Sequence, residues 1–190
     1  MPRDLVEGSL LLLDACCLIN LFATGRSEEI LHGLPYDFAT SRLVAEREVL
    51  SIAHPAGPDA PMEREVISPH RLEGSEDLAI LDLSTEEEMA QFIGLAANLD
   101  DGEASVCALA KVRGGAVATD DRKALRLLGR TAPPIATVQT PEILWEWARR
   151  SRAPEDEIRN LLRAVQQRAR FFPRRDAPLF DWWNSFFRSL

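Results

Sequence analysis

Acidic residues stand at four places in the chain where carboxylate chemistry is plausible. Asp14 follows the leucine run Leu10 to Leu13. A continuous apolar run suits a central parallel strand covered on both faces. Asp14 is therefore expected at the carboxyl end of a buried strand, the edge where open α/β sheets take their ligands. An ionised carboxylate there is costly without a partner or a metal. The competing reading is a cap on the next helix. Asp100, Asp101 and Glu103 open a predicted helix, where Asp is a good cap and Glu suits the first turn. Thr119-Asp120-Asp121 ends a predicted strand and starts a helix, and two acids in a row exceed what one cap needs. Glu46 lies on a predicted helix four residues after Arg42, so from the residues alone a solvated ion pair is the preferred reading. Glu48 competes for its role.

Together these groups suit a hard divalent cation. Mg²⁺ takes octahedral oxygen coordination from a few carboxylates, waters and substrate phosphate. Mg²⁺ or Mn²⁺ held by Asp14, Glu103, Asp121 and Asp120 would lower the pKa of a bound water and stabilise a leaving oxygen. Thr119 is placed to bind a metal-bound water or a phosphate oxygen. His32, His54 and His70 are scattered without zinc spacing. No Gly-rich nucleotide-binding loop of the dinucleotide or Walker type is present. Cys16, Cys17 and Cys107 are too few for a disulfide framework and read as small buried residues in a reducing compartment.

The elements that must position these groups alternate. Strands are expected at 10–13, 36–40, 65–69, 78–83, 116–119 and 135–138. Helices are expected at 15–23, 27–33, 41–52, 85–97, 101–113, 121–128 and 141–150. Residues 54–61 hold three prolines and a glycine and read as a loop. Strand–helix alternation predicts a mostly parallel sheet with helices on both faces. Residues 1–150 are expected as one α/β domain. Residues 151–190 are expected as a helix and an aromatic tail that packs on the domain or on a partner.

Composition narrows the class of function. The net charge is −8 over 190 residues, but it is uneven. Residues 1–140 carry 12 Lys+Arg against 23 Asp+Glu, and residues 141–190 carry 10 Arg against 7 acidic groups. An acidic body argues against a protein that coats DNA through a basic patch. It leaves room for a metal-dependent nuclease, because bound cations invert the local field. The first residues lack a basic n-region, and the longest apolar stretch is interrupted by Asp14 and Asn20. A soluble, cytoplasmic protein without a membrane span is expected.

The segments LLLDACCLINL at 11–21, LVAEREVL at 43–50, LDDGEASVCALA at 99–110 and AVATDDRKALRLL at 116–128 resemble the PIN-domain nucleases in order and approximate spacing. The resemblance covers most of residues 9–140. It implies a doubly wound α/β fold and metal-dependent ribonuclease activity, with the toxins of toxin–antitoxin pairs among its members. It matches Asp14, Glu46, Glu103 and Asp121 to the family's acidic residues, with Asp101 and Thr119 in support. It brings an RNA substrate, an antitoxin protein and a second copy of the chain into view as partners. The long 53–77 stretch and the aromatic tail depart from the family's core pattern.

Two further features bear on partners. Arg122, Arg126 and Arg130 recur every fourth residue on the helix that Asp121 starts, with Lys123 beside them. They read as a solvated face or as phosphate contacts that steer RNA toward the acidic site. Residues 179–190 hold Phe180, Trp182, Trp183, Phe186 and Phe187, a density that needs cover from the domain or a partner.

Overall fold

Leu11, Leu12 and Leu13 lie in a strand and expose no surface, as a central parallel strand requires. The structure is a computed structural model that describes residues 5–48, 50–55, 62–75 and 77–188. Its first half runs β1 (Leu10–Leu13), α1 (Ala15–Ala23), α2 (Ser27–His32), β2 (Asp37–Ser41), α3 (Arg42–Arg47), β3 (Ser51–Pro55), β4 (Met62–Val66), α4 (His70–Glu73) and β5 (Ala79–Leu81). The chain continues with α5 (Glu86–Ala96), α6 (Asp101–Arg113), β6 (Ala116–Ala118), α7 (Arg122–Leu128), β7 (Thr137–Val138), α8 (Thr140–Ser151) and α9 (Glu155–Ala164). A π-helical turn at Val165–Ala169 and α10 (Phe180–Ser185) follow.

Five strands form one parallel sheet in the order β5-β2-β1-β6-β7. From β1 the chain first builds outward through β2 and later returns to build the other side from β6. The switch point therefore lies between β1 and β6, where the crevice outside the strand ends is the usual ligand site of an open α/β sheet. Leu13 is in register with Ala118, which places Asp14 level with Thr119 at that crevice. The expected α/β class, with helices flanking a parallel sheet, is what the structure shows.

Residues 41–52 depart from the expected single helix. α3 stops at Arg47, and Glu48 already has extended backbone at φ −86°, ψ 130°. Leu50 and Ile52 are both buried, and their spacing of two belongs to a strand. β3 pairs antiparallel with β4, Ser51 opposite Val66, in a separate two-stranded sheet. The strand expected at 65–69 is thus shifted toward the N-terminus. Of the loop expected at 54–61, residues 56–61 lie outside the described residues.

α6 packs on the sheet because its inner face is small. Ala104, Ala108 and Ala110 are buried and let the helix approach β1, β2 and β6 closely. Its C-cap, Gly114, takes φ 74°, a left-handed conformation that glycine adopts without a Cβ penalty.

The C-terminal segment lies on its own domain. The π-helical turn packs against α1 and β3, where the Arg168 guanidinium donates to the carbonyls of Ala23 (3.0 Å) and Ala53 (3.3 Å). Trp183 of α10 exposes no surface and meets Phe171 edge-on at 5.7 Å. The expected aromatic run extends to Leu190, and residues 189–190 lie outside the described residues. Among the described residues, no helix is long and apolar enough to cross a membrane.

Candidate functional site

Asp14 ends β1 and caps α1. Its Oδ1 accepts from the Ala15 backbone N–H at 2.8 Å, and its Oδ2 accepts from the Thr119 hydroxyl at 2.9 Å and the Cys16 thiol at 3.3 Å. Both readings of Asp14 therefore hold at once: it is a cap, and it is a buried carboxylate facing the crevice. Burial pushes its pKa up, and the bonds from Thr119, Cys16 and Ala15 hold it back.

Thr119 uses its hydroxyl to join two acidic residues. It donates to Asp14 and accepts from the Asp121 N–H at 3.1 Å. Its donor orients Asp14, and a hydroxyl oxygen keeps a second lone pair beyond the one that Asp121 uses.

The Asp120-Asp121 pair divides its work. Asp121 caps α7, its Oδ1 accepting from the N–H groups of Lys123 (2.6 Å) and Ala124 (2.9 Å). Its charge reaches Glu103. Asp120, expected with the metal-holding group, lines one cleft with Glu103 and Asp121 and also bonds across the fold. It accepts from Asn20 Nδ2 (3.0 Å), the Thr140 hydroxyl (2.6 Å) and the Thr140 N–H (3.1 Å), fastening β6 to α1 and α8. The second acid that exceeded capping thus serves as a tether. Asn20 is the partner overlooked in the sequence; a buried amide inside an otherwise apolar helix was its signal.

Glu103 sits in the first turn of α6. Burial, then the charges of Asp100, Asp14 and Asp121, push its pKa up to about 7. Asp100 caps α6, accepting from the Glu103 N–H at 2.8 Å. The expected helper Asp101 is exposed, and it is Asp100 whose charge is felt by Asp14, Glu48 and Glu103. Position N1 turns Asp101 outward, whereas the cap position holds Asp100 over the helix end.

Glu46 does not reach this cluster. It is exposed and ion-paired with Arg42 at 2.8 Å, as the i, i+4 spacing allows. Glu48 takes its place. The chain leaves α3 at that residue, and the half-buried carboxyl is pushed up to about 7 by burial and by the charges of Asp14 and Asp100. Gly102 makes the room: a Cβ there would stand 1.5 Å from Glu48 Oε1. Asp14, Glu48, Asp100, Glu103 and Asp121 thus form one acidic cluster at the switch point.

Two carboxyls pushed to about 7 by burial and their acidic neighbours mark a site short of positive charge. Its all-oxygen donor set fits a hard divalent cation such as Mg²⁺ or Mn²⁺. A tighter group lies beside it: ligand atoms of Cys16, Cys17 and Asp120 all fall within 4.8 Å of one another and could hold a metal. That donor set is soft. Burial pushes the Cys17 thiol well up, and Asp120 is already bonded to Asn20 and Thr140, so this trio suits Mg²⁺ or Mn²⁺ poorly.

One consequence can be measured in metal-free protein. Glu103 has an ordinary pKa near 4.5 when unfolded and about 7 when folded, so the folded state holds the extra proton between those values. Stability falls as pH rises through that window, and the penalty is complete above pH 7. Glu103→Gln removes it. Discounting for the solvent that reaches this side chain, the gain is about 1 kcal/mol at pH 8, or ~2–4 °C in Tm. At pH 4.5 no gain is expected. Thermal melts in chelator check this, and an equal shift at both pH values would contradict an origin in the Glu103 proton.

No protein-family profile, curated protein or solved structure matches this chain. What fold and site define is an α/β protein with a parallel five-stranded sheet and a carboxylate cluster at its switch point.

Proposed function

We propose that this protein is a metal-dependent endoribonuclease with a PIN-like doubly wound fold. The observation that carries the reading is the meeting of Asp14, Glu48, Glu103 and Asp121 at the switch point, from four separate parts of the chain. Asp14, Glu103 and Asp121 would hold Mg²⁺ or Mn²⁺, which would supply an acidified water and charge neutralisation at the phosphate. Thr119 and the Ala15 N–H fix the Asp14 carboxylate, so no rotamer search is needed on binding. Glu48, half-buried and within reach of the charges of Asp14 and Asp100, is the carboxyl best placed to take up the proton of the attacking water. The rival, a PIN-like module that binds RNA or protein without cutting, gains from Glu46 pairing outward with Arg42; against it the enzyme reading sets Glu48, whose carboxyl is close enough to Asp14 and Asp100 to feel their charge. The test is cleavage of single-stranded RNA with Mn²⁺, with Mg²⁺ and in chelator, comparing wild type with Asp14→Asn.

Substrate approach falls to α7. Arg122, Lys123 and Arg126 on α7, and Arg130 just past its Gly129 cap rather than on the helix as expected, are exposed and form no ion pair among the described residues. Arg126 donates to the Arg122 carbonyl at 3.1 Å, which leaves the guanidinium at the surface. The Arg122→Ala, Arg126→Ala double variant is expected to weaken RNA binding about tenfold at low salt. It should also flatten the log K against log[salt] slope by ~1–2. Anisotropy titrations in Ca²⁺ at several salt concentrations check it, and unchanged affinity across salt would exclude these arginines. A toxin role, with an antitoxin protein or a second copy of the chain as partner, is an extension of the same proposal. A small DNA-binding protein encoded in the neighbouring reading frame would support it.

A further inference from the structure

Between the π-helical turn and α10 the chain runs as a strap with no regular structure through residues 170–174. The strap forms one wall of a cleft of about 370 Å³, and Cys16, Glu103, Asp120 and Asp121 line the other. Phe171 is half-buried, edge-on to Trp183 and also at the cleft, and Pro173 is buried. Phe172 between them remains 47% exposed. Its ring is nonetheless supported from behind, edge-on to Phe180 at 6.1 Å and to Trp183 at 6.4 Å. Arg174 lines the same cleft and makes an exposed ion pair with Asp176 at 3.3 Å. An aromatic ring that is rigidly backed yet open to solvent, facing a carboxylate cluster, is a costly surface to maintain.

We infer that Phe172 is the platform on which a base of single-stranded RNA stacks next to the scissile phosphate, with Arg174 contacting the backbone. This rests on the ribonuclease reading above. A nucleotide satisfies both walls of the cleft: its base offers a flat apolar face to Phe172, and its phosphate suits Arg174 and a cation held by the opposite carboxylates. An apolar peptide would leave those carboxylates desolvated and unpaired. A duplex keeps its base faces stacked inside the helix, out of reach of the ring. The strap thus selects unpaired RNA.

The test uses the full chain with Mn²⁺ and a fluorescent single-stranded RNA, intact or made abasic beside its mapped cleavage position. Wild type should lose about tenfold in kcat/KM on the abasic strand, within the range that aromatic stacking supports. Phe172→Leu keeps an apolar contact to Trp183 but has no ring. It should raise KM about tenfold on intact RNA, change kcat little, and no longer distinguish the abasic strand. Phe172→Trp should restore both. Phe172→Leu that cuts intact RNA like wild type, or that stays equally sensitive to the abasic site, overturns the inference. Should Phe172→Leu fail to melt cooperatively, the wild-type comparison of intact with abasic RNA decides. Wild type that cuts no RNA removes the ribonuclease reading and this inference with it. Wild type that cuts beside an unaffected Phe172→Leu removes only the stacking.

Discussion

Asp14→Asn is expected to lower Mn²⁺- or Mg²⁺-dependent RNA cleavage by a factor of about a thousand or more and to leave the chain folded. The two halves of that expectation have separate physical grounds. Asn is as good an N-cap as Asp, and its carbonyl oxygen can still accept from the Ala15 N–H or the Thr119 hydroxyl. The substitution also removes a charge that burial makes costly, so the melting temperature should hold or rise. What is lost is the anionic oxygen at the centre of the cluster, the one carboxylate fixed from two sides. A thousandfold corresponds to about 4 kcal/mol of transition-state stabilisation, within what a metal-held charge supplies. Cleavage rates of purified wild type and variant, measured with both metals and in chelator, check it. Equal rates would place the cleaving activity outside this site or outside this protein. Melts of the same samples separate a chemical loss from an unfolded one.

The readable parts of the chain are those where one local signal dominates. β1 and β6 were legible because runs such as Leu11 to Leu13 and Ala116 to Ala118 are buried from both faces and need no alternation. α6 was legible from its acidic start and its glycine stop. The region after Arg42 was not, because residues 41–52 keep a plausible helical stripe while tertiary pairing with β4 pulls Ser51–Pro55 into a strand. The same override hid the site's fourth member: which of Glu46 and Glu48 faces Asp14 depends on where the helix ends. Asp100 and Asp101 differ by one residue, and only cap geometry separates them. The doublet Asp120-Asp121 looked like surplus acid because the tether to Asn20 and Thr140 spans about a hundred residues in one direction and twenty in the other. No local pattern records such a bond. The strap bearing Phe172 was equally hidden: the aromatics were visible, but not that Phe171 and Phe172 share a cleft with the carboxylates.

That geometry makes the sharper prediction about the acidic cluster. Glu48→Gln is expected to lower cleavage by a factor of about 10²–10³, while Glu46→Gln changes it by less than about threefold. Glu46 is exposed, and water and salt screen its pairing with Arg42, so its loss should barely register in rate or stability. Glu48 is half-buried against the charges of Asp14 and Asp100, where a neutral amide of the same shape removes both its charge and its capacity to take a proton. Gly102→Ala supplies an independent arm. The new methyl would fall 1.5 Å from Glu48 Oε1, so the carboxylate must swing aside, although Glu48 itself is unchanged. Its activity should therefore drop toward that of Glu48→Gln with Mn²⁺ present. Combining the two substitutions should cost little more than Glu48→Gln alone, because both act on one group. Additive losses in the double variant would mean that Gly102 matters for α6 rather than for Glu48. A large loss on Glu46→Gln with an intact Glu48→Gln would return the role to Glu46 and require α3 to run further than Arg47.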